Sequence, residues 1–359
     1  MDLQIFDDDL DVLEIIDFGF PKLIYTRSNY FHEMDEYNFF KRFRLTKQSC
    51  LYVLRQIQEI IEFPSNKNNC VSPMNQLLTT LRFYASASHL TIVADFTGMH
   101  TSTASRIISR VSRAIAMLRP QYIKMPSNTE EILAVQNQFY GIAAFPRIIG
   151  AIDCTHIKIQ SPGGEDAEVY RNRKGYFSFN VQVIVNANLE AMDIVARWPG
   201  SVHDSTIFNN SRIRARLENG DFQNGILLGD SGYPLREYFL TPLAECRTRP
   251  EELYNEAHIR TRNTVERFFG NWKRRFPVLA YGLRLKISTV MEVIVATAVL
   301  QNITRTVMAE ENVAVLPDDI NEADLNVQIE AGRVEMNNIG NNGIHYLRDN
   351  LINNYFNDL

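Results

Sequence analysis

The chain has 359 residues, is 45% hydrophobic and carries 37 Lys and Arg against 42 Asp and Glu, for a net charge of −5. That length allows two domains and that apolar content a real core, which excludes a disordered chain. Four scattered cysteines with no CxxC pair exclude a disulfide framework and a zinc module, and suit a reducing compartment.

Residues 1–40 mix acids with Phe, Tyr and Leu without a clear period and read as an acidic, loosely ordered N-terminal arm. The first 20 residues hold seven acids and no Lys or Arg, where a signal peptide would carry bases. Residues 309–359 hold ten acids against Arg333 and Arg348 and read as an acidic C-terminal tail. Since the whole is −5, residues 21–308 carry about +10, and a basic body between acidic ends suits a nucleic-acid surface. Solubilising termini explain the tails equally well.

A helical region is expected over 41–144. Phe40, Phe43, Val53, Ile57 and Ile61 give the first helices, and Asn66 to Pro73 a polar connection. From 77 to 125 the pattern is that of a helix-turn-helix. Leu77, Leu78, Leu81 and Tyr84 mark one helix, Thr91 to Phe96 a second, Thr97-Gly98 a break and Ser102 to Leu118 a third. Arg106, Arg110 and Arg113 share a face of that third helix, as DNA contact requires; a solvated helix face reads the same way. A helical link follows from Asn128 to Ala144.

Phe145-Pro146 then opens a domain expected over 145–308. Ile148, Ile149, Ala151 and Ile152 leave no polar face, so the run reads as a central strand ending on Asp153. Phe177 to Val185 and Met192 to Trp198 are strands two and three. Between strands one and two, Tyr170, Arg171, Arg173, Lys174 and Tyr176 make a basic, aromatic loop able to clamp a DNA strand, or a solvated hairpin loop. Asp204 to Asn219 reads as a helix, and Gly225 to Asp230 as strand four, again ending on Asp. Asn263 to Phe276 has helical period and is stopped by Pro277. Leu279 to Leu285 allows a further short strand, and Ser288 to Met308 a closing helix with Ser288 as N-cap. The longest apolar candidate, Val290 to Ile303, contains Glu292, so no membrane span is expected. Three strands, a helix, a strand and a helix is the order of an α/β, RNase H-like mixed sheet flanked by helices, here preceded by an all-α region.

Two strand-borne Asp and Glu266 on a helix form a site for Mg²⁺ or Mn²⁺, which prefer carboxylate oxygen. The bland readings are turn or cap residues for Asp153 and Asp230, and for Glu266 a capping box with Asn263. Glu266 shares its side of the helix with Arg262, Gly270 and Lys273. Gly270 costs about 1 kcal/mol against Ala in a helix, so either close approach of DNA or tight packing on the sheet explains it. Arg262 and Lys273 would then meet phosphates.

Four ordered motifs carry a resemblance: Gly150-Ala-Ile-Asp-Cys-Thr-His156, Ser201-Val-His-Asp-Ser205, Gly229-Asp-Ser-Gly-Tyr-Pro234 and Val265-Glu-Arg-Phe-Phe-Gly-Asn-Trp-Lys-Arg-Arg-Phe276. From about Leu77 to about Asn302 the chain resembles the PIF/Harbinger transposases and the Harbinger transposase-derived nucleases. The resemblance implies the Asp, Asp, Glu site of cut-and-paste transposases, with Asp153, Asp230 and Glu266 as catalytic metal ligands and Asp204 beside them as a fourth carboxylate. It also implies a separate Myb-like partner supplying terminal DNA recognition and nuclear import. DNA, that partner and a second copy of the chain are the expected partners, and nucleus and cytoplasm the expected locations. A domesticated, non-catalytic DNA-binding or scaffolding protein on the same fold is the competing class.

Overall fold

The computed structural model describes residues 27–64, 70–310 and 346–359. It divides into two compact units. The first takes the described residues through Arg119 and those from Arg275 through Glu310; the second takes Pro120 to Arg274 and 346–359.

The first unit is helical. Helix α1 (Tyr30–Glu33) lies where a loose arm was expected, and α2 (Glu36–Phe43) begins in that arm and carries the Phe40 and Phe43 expected to be helical. Asp35 caps α2 by accepting from Asn38 N, Phe39 and Phe43 are buried, and the Tyr30 ring stacks on Phe96. Residues 1–26 of the expected arm lie outside the described residues. Helix α3 (Lys47–Ile61) starts on Thr46 and buries Cys50, Val53, Ile57 and Ile61 at helical spacing. Helix α4 (Pro73–Ser86) has Pro at its first position and Ser72 as cap. Helix α5 (Leu90–Thr97) stops at Gly98, whose φ of 62° is open to glycine, and α6 (Thr101–Ala116) follows, burying Ala104, Ile107, Ile108, Val111 and Ile115.

The second unit begins around the short α7 (Arg119–Tyr122) and α8 (Thr129–Ala143), which Asn128 caps. Strand β1 (Ile148–Lys158) runs five residues past Asp153, so that carboxylate stands inside the strand and not at its end. Strands β2 (Ser178–Val185) and β3 (Ala191–Pro199) continue the meander, with Asp153 opposite Val183 and Cys154 opposite Gln182. The single helix expected from Asp204 to Asn219 is two, α9 (Asp204–Asn209) and α10 (Arg212–Glu218), because Ser211 caps the second through Arg214 N. Strand β4 (Ile226–Leu228) lies parallel to β1, and the two-residue β5 (Phe239–Leu240) parallel to β4.

The order β3-β2-β1-β4-β5, antiparallel on one half and parallel on the other, is the RNase H-like mixed sheet. One side packs Ile152, Ile184, Phe208 and Tyr233; the other packs Ile148 and Leu228 against Phe139, Phe145 and Tyr254.

Helix α11 (Arg249–Arg275) starts fourteen residues before the expected Asn263. Its start carries half of a capping box: Glu251 Oε2 accepts from Thr248 N at 2.9 Å, while Thr248 O accepts the first helical bond from Glu252 N. Returning to the helical unit, α12 (Val278–Tyr281) replaces the short strand allowed over Leu279 to Leu285, and α13 (Ile287–Glu310) begins before Ser288, which is therefore not its N-cap.

Helix α13, which falls inside the expected 145–308 domain, packs within the helical unit. Its Thr289 hydroxyl lies 3.3 Å from Ser109 of α6, and Val290, Ile294, Ala298 and Ile303 are buried. Buried Arg275 donates to Gln301 Oε1 and Arg44 O. Ile287–Val307 is long and apolar enough to cross a membrane, yet most of it is buried within the protein, as in a core helix.

The last segment, α14 (Tyr346–Asn350) with the turn through Tyr355, sets Leu351, Ile352 and Phe356 into the core of the sheet unit. That end of the expected tail is structural; residues 311–345 lie outside the described residues.

Candidate active site

Leu228 pairs with Ala151, so Asp230, two residues on, comes level with Asp153 where β4 has run out. Gly229 makes this passage possible: a Cβ there would stand 2.4 Å from the Phe239 ring. Asp230 then accepts from Gly232 N at 3.0 Å.

Side chains alternate along β1, so Asp153 and Thr155 face one side of the sheet and Cys154 and His156 the other. Helix α11 covers the Asp153 side. Arg262 Nη2 donates to Glu266 Oε1 at 2.6 Å, and Arg262 Nη1 lies 3.5 Å from Asp153 Oδ2. Glu266 is in the middle of α11, which removes the capping-box reading with Asn263. Gly270 has open space where a Cβ would point, which removes tight packing on the sheet as its reason.

Burial pushes the Asp153 carboxyl up to about 7; Arg262 opposes the rise, and Asp230 and Asp204 add to it. Asp230 is raised as well, by burial, against the pull of Arg262 and the Gly232 N–H and with the help of Asp204 and Glu266. Asp153 thus feels Asp230 and Asp204, and Asp230 feels Asp204 and Glu266. Their oxygens are the hard donors that Mg²⁺ or Mn²⁺ take, and the donor chemistry fits. Among the described residues, no three His, Cys, Asp or Glu side chains stand close enough as they lie to share one ion. The cation that Asp153 and Glu266 have here is Arg262.

Asp204 is held differently. Its Oδ1 accepts from Asn180 Nδ2 at 2.7 Å, and Asn180 lies opposite His156, on the Cys154 side of the sheet. There Cys154 Sγ lies 3.3 Å from Tyr233 Oη, and burial raises both groups well above their ordinary values. Gln182, fully buried beside Cys154, leaves both side-chain polar atoms without a partner. His156 Nδ1 meets Ser178 Oγ at 3.0 Å, as a structural histidine does.

The residues expected to meet DNA divide into engaged and open ones. Lys273 is turned inward, donating to Thr155 Oγ1 at 2.6 Å and His156 O at 3.1 Å; burial, then Lys174, lowers its ammonium to about 8. Arg262 is likewise turned inward. In the loop, Arg171 pairs with Glu168 and lies over the Phe177 ring, Arg173 donates to His203, and Lys174 is exposed. Asn172 fixes that loop, accepting from Lys174 N and Tyr176 N and donating to Ser178 Oγ. In the helical unit, Arg106 is exposed, Arg110 lies over the Phe63 ring at 4.2 Å, and Arg113 pairs with Glu292 at 3.2 Å.

Asn180, Gln182 and Tyr233 were not singled out from the sequence. The i,i+4 spacing of Arg262 and Glu266 was a usable signal for their pair; for Asn180 there was none, because its role depends on cross-strand register.

The profile of one family, described as DDE superfamily endonuclease, matches residues 152–302. "Putative nuclease HARBI1" of Homo sapiens is 31% identical over 273 residues, 75% of this chain and 78% of that protein. The chain belongs to the Harbinger transposase-derived nuclease family. The Xenopus laevis HARBI1 is 26% identical over 255 residues, 70% of this chain and 73% of that protein. "Protein ALP1-like" of Arabidopsis thaliana is 26% identical over 281 residues, 73% of this chain and 67% of that protein. No solved structure matches the chain. The DDE superfamily endonuclease profile begins at Ile152 and ends at Asn302, so it spans Asp153, Asp204, Asp230 and Glu266.

Proposed function

We propose that this chain is a divalent-metal-dependent DNA endonuclease in which Asp153, Asp230 and Glu266 hold the ions and Asp204 supports them. The observation that carries this is the meeting of Asp153 and Asp230 at the β1–β4 edge with Glu266 brought over them by α11. A pair of Mg²⁺ or Mn²⁺ ions would supply an activated water and neutralise charge on the attacking and leaving oxygens of a phosphodiester. The rigid strand fixes Asp153, and the Gly232 N–H orients Asp230. Asn180 orients Asp204.

The exposed Lys174, the braced hairpin that carries it and the open surface at Gly270 suit a DNA strand drawn across the site. Helix α6 serves as the DNA-reading helix, with Arg106 free to reach a base or phosphate and Arg110 and Arg113 braced on the same face. Action on chromosomal DNA places the protein in the nucleus, entered from the cytoplasm with a Myb-like DNA-binding partner, and the freed 3′-hydroxyl is the group available for strand transfer.

The test is duplex cleavage with Mg²⁺ or Mn²⁺ by the natural chain, Asp153→Ala and Glu266→Ala. Cleavage lost in both variants supports the enzyme. Cleavage unchanged in either sinks it, and salt-sensitive DNA binding without cleavage in the natural chain moves the reading to a scaffold on the same fold.

A further inference from the structure

Arg262 has an unusual position for a residue on the covering helix. Its side chain is only 16% exposed, and it reaches Glu266 one turn along its own helix and Asp153 on the strand beneath. Their side chains are 18% and 28% exposed for Asp153 and Glu266, so water screens this cluster poorly. Carboxylates gathered in such a place repel one another unless a cation sits among them. The guanidinium, always charged and forked, meets that need from within the chain. It also uses lone pairs on the oxygens that an ion would require.

We propose that Arg262 is the internal counter-cation of this site: it neutralises Asp153 and Glu266 while no metal is bound, and it must leave them before metal can enter. The proposal rests on the metal-dependent reading given above. It makes Arg262 a positioning residue that sets the metal affinity of the site, a role different from the phosphate contact expected from the sequence. Two consequences follow from one competition. The metal-free protein is stabilised by Arg262, and metal binding is weakened by it, because part of the binding free energy is consumed in breaking its ion pairs.

The experiment titrates the full chain with Mn²⁺, following free ion by electron paramagnetic resonance, and measures Tm in EDTA on the same samples. Arg262→Met and Arg262→Gln remove the charge, Arg262→Lys keeps it, and Asp153→Asn tests the site itself. Both neutral variants are expected to bind Mn²⁺ about tenfold tighter than the natural chain, the ratio for the loss of one competing, partly buried ion pair. Their Tm in EDTA is expected to fall, and Arg262→Lys to stay near the natural chain in both measurements. A merely structural arginine would lower Tm without tightening Mn²⁺. The inference is overturned if the folded neutral variants bind Mn²⁺ no tighter, or if the Lys variant binds as tightly as they do. Failure of the underlying reading looks different: Mn²⁺ binding is then absent from the natural chain or undiminished in Asp153→Asn.

Discussion

The two sides of β1 treat polar groups in opposite ways. On the α11 side, Asp153 meets charge with charge, through Arg262 and the neighbouring Asp230. On the Cys154 side, Asp204 is held by the neutral amide of Asn180, and the thiol, the phenol and Gln182 beside it are uncharged. A charged cluster can exchange its internal cation for an external one, whereas an amide can only aim a carboxylate. On the proposed metal-dependent reading, that difference makes Asp153 and Glu266 the groups that bind and Asp204 a supporting carboxylate aimed by Asn180.

The largest effect expected from that contrast is at Asp153. Asp153→Asn should lower metal-dependent cleavage by about 10²–10³-fold with little change of Tm in EDTA, because the ion pair with Arg262 that it removes is offset by relief of a carboxylate that burial already disfavours in its charged form. A parallel loss of Tm and activity would show that Asp153 is there for stability. On the opposite side, Asn180→Ala should reduce cleavage by only about 10–100-fold, the scale of partners that orient a ligand. An Asn180→Ala loss as deep as that of Asp153→Asn, measured in the same assay, would erase the distinction between the two sides.

The α11 side also carries groups whose linkage to pH runs in opposite directions, the lowered His258 and the raised Asp153. His258, on α11, donates from Nε2 to Leu240 O at 3.2 Å, and burial, then Arg262, lowers its pKa to about 3. Unfolding lets this histidine take up a proton below its ordinary value of 6.5, so its contribution is complete above that pH and is lost as pH falls toward 3. Between pH 8 and pH 5 this histidine's own share of the loss is about 2 kcal/mol by proton linkage, read as the difference between the natural chain and His258→Gln in urea denaturation in EDTA, because the raised Asp153 carboxyl gains stability over the same range and offsets it in the natural chain. The smallest effect is at Gly270. Because its Cβ position is open, Gly270→Ala should raise stability by about 1 kcal/mol while weakening cleavage if DNA passes there. A gain in stability with cleavage untouched would move the DNA path elsewhere.

Much of the sheet unit was legible because its strands are apolar runs with a carboxylate at a fixed offset, and a buried strand has few other ways to read. The Asp153–Asp230 meeting followed from two such runs. The start of α11 was also written in Thr248-Arg-Pro-Glu251, the sequence form of a capping box with Pro in the first turn, but it precedes the apolar stripe that drew attention to Asn263. Acid counts concealed the last segment, where Leu351, Ile352 and Phe356 outweigh the charge around them. The all-apolar α13 announced that it was buried but not against what, since a helix without a polar face carries no direction. The sides taken by Asp204 and Asp153 depend on register between β1 and β2, which local pattern does not encode.

The return of residues 346–359 to the sheet unit, with α13 given to the helical one, leaves the two bodies interleaved along the chain. No single cut yields either of them whole. Trimming the C-terminus as though it were a dispensable acidic appendage would strip Leu351, Ile352 and Phe356 from beneath Phe145 and Tyr254, so a loss of cleavage after such trimming would report a damaged core and not a regulatory tail.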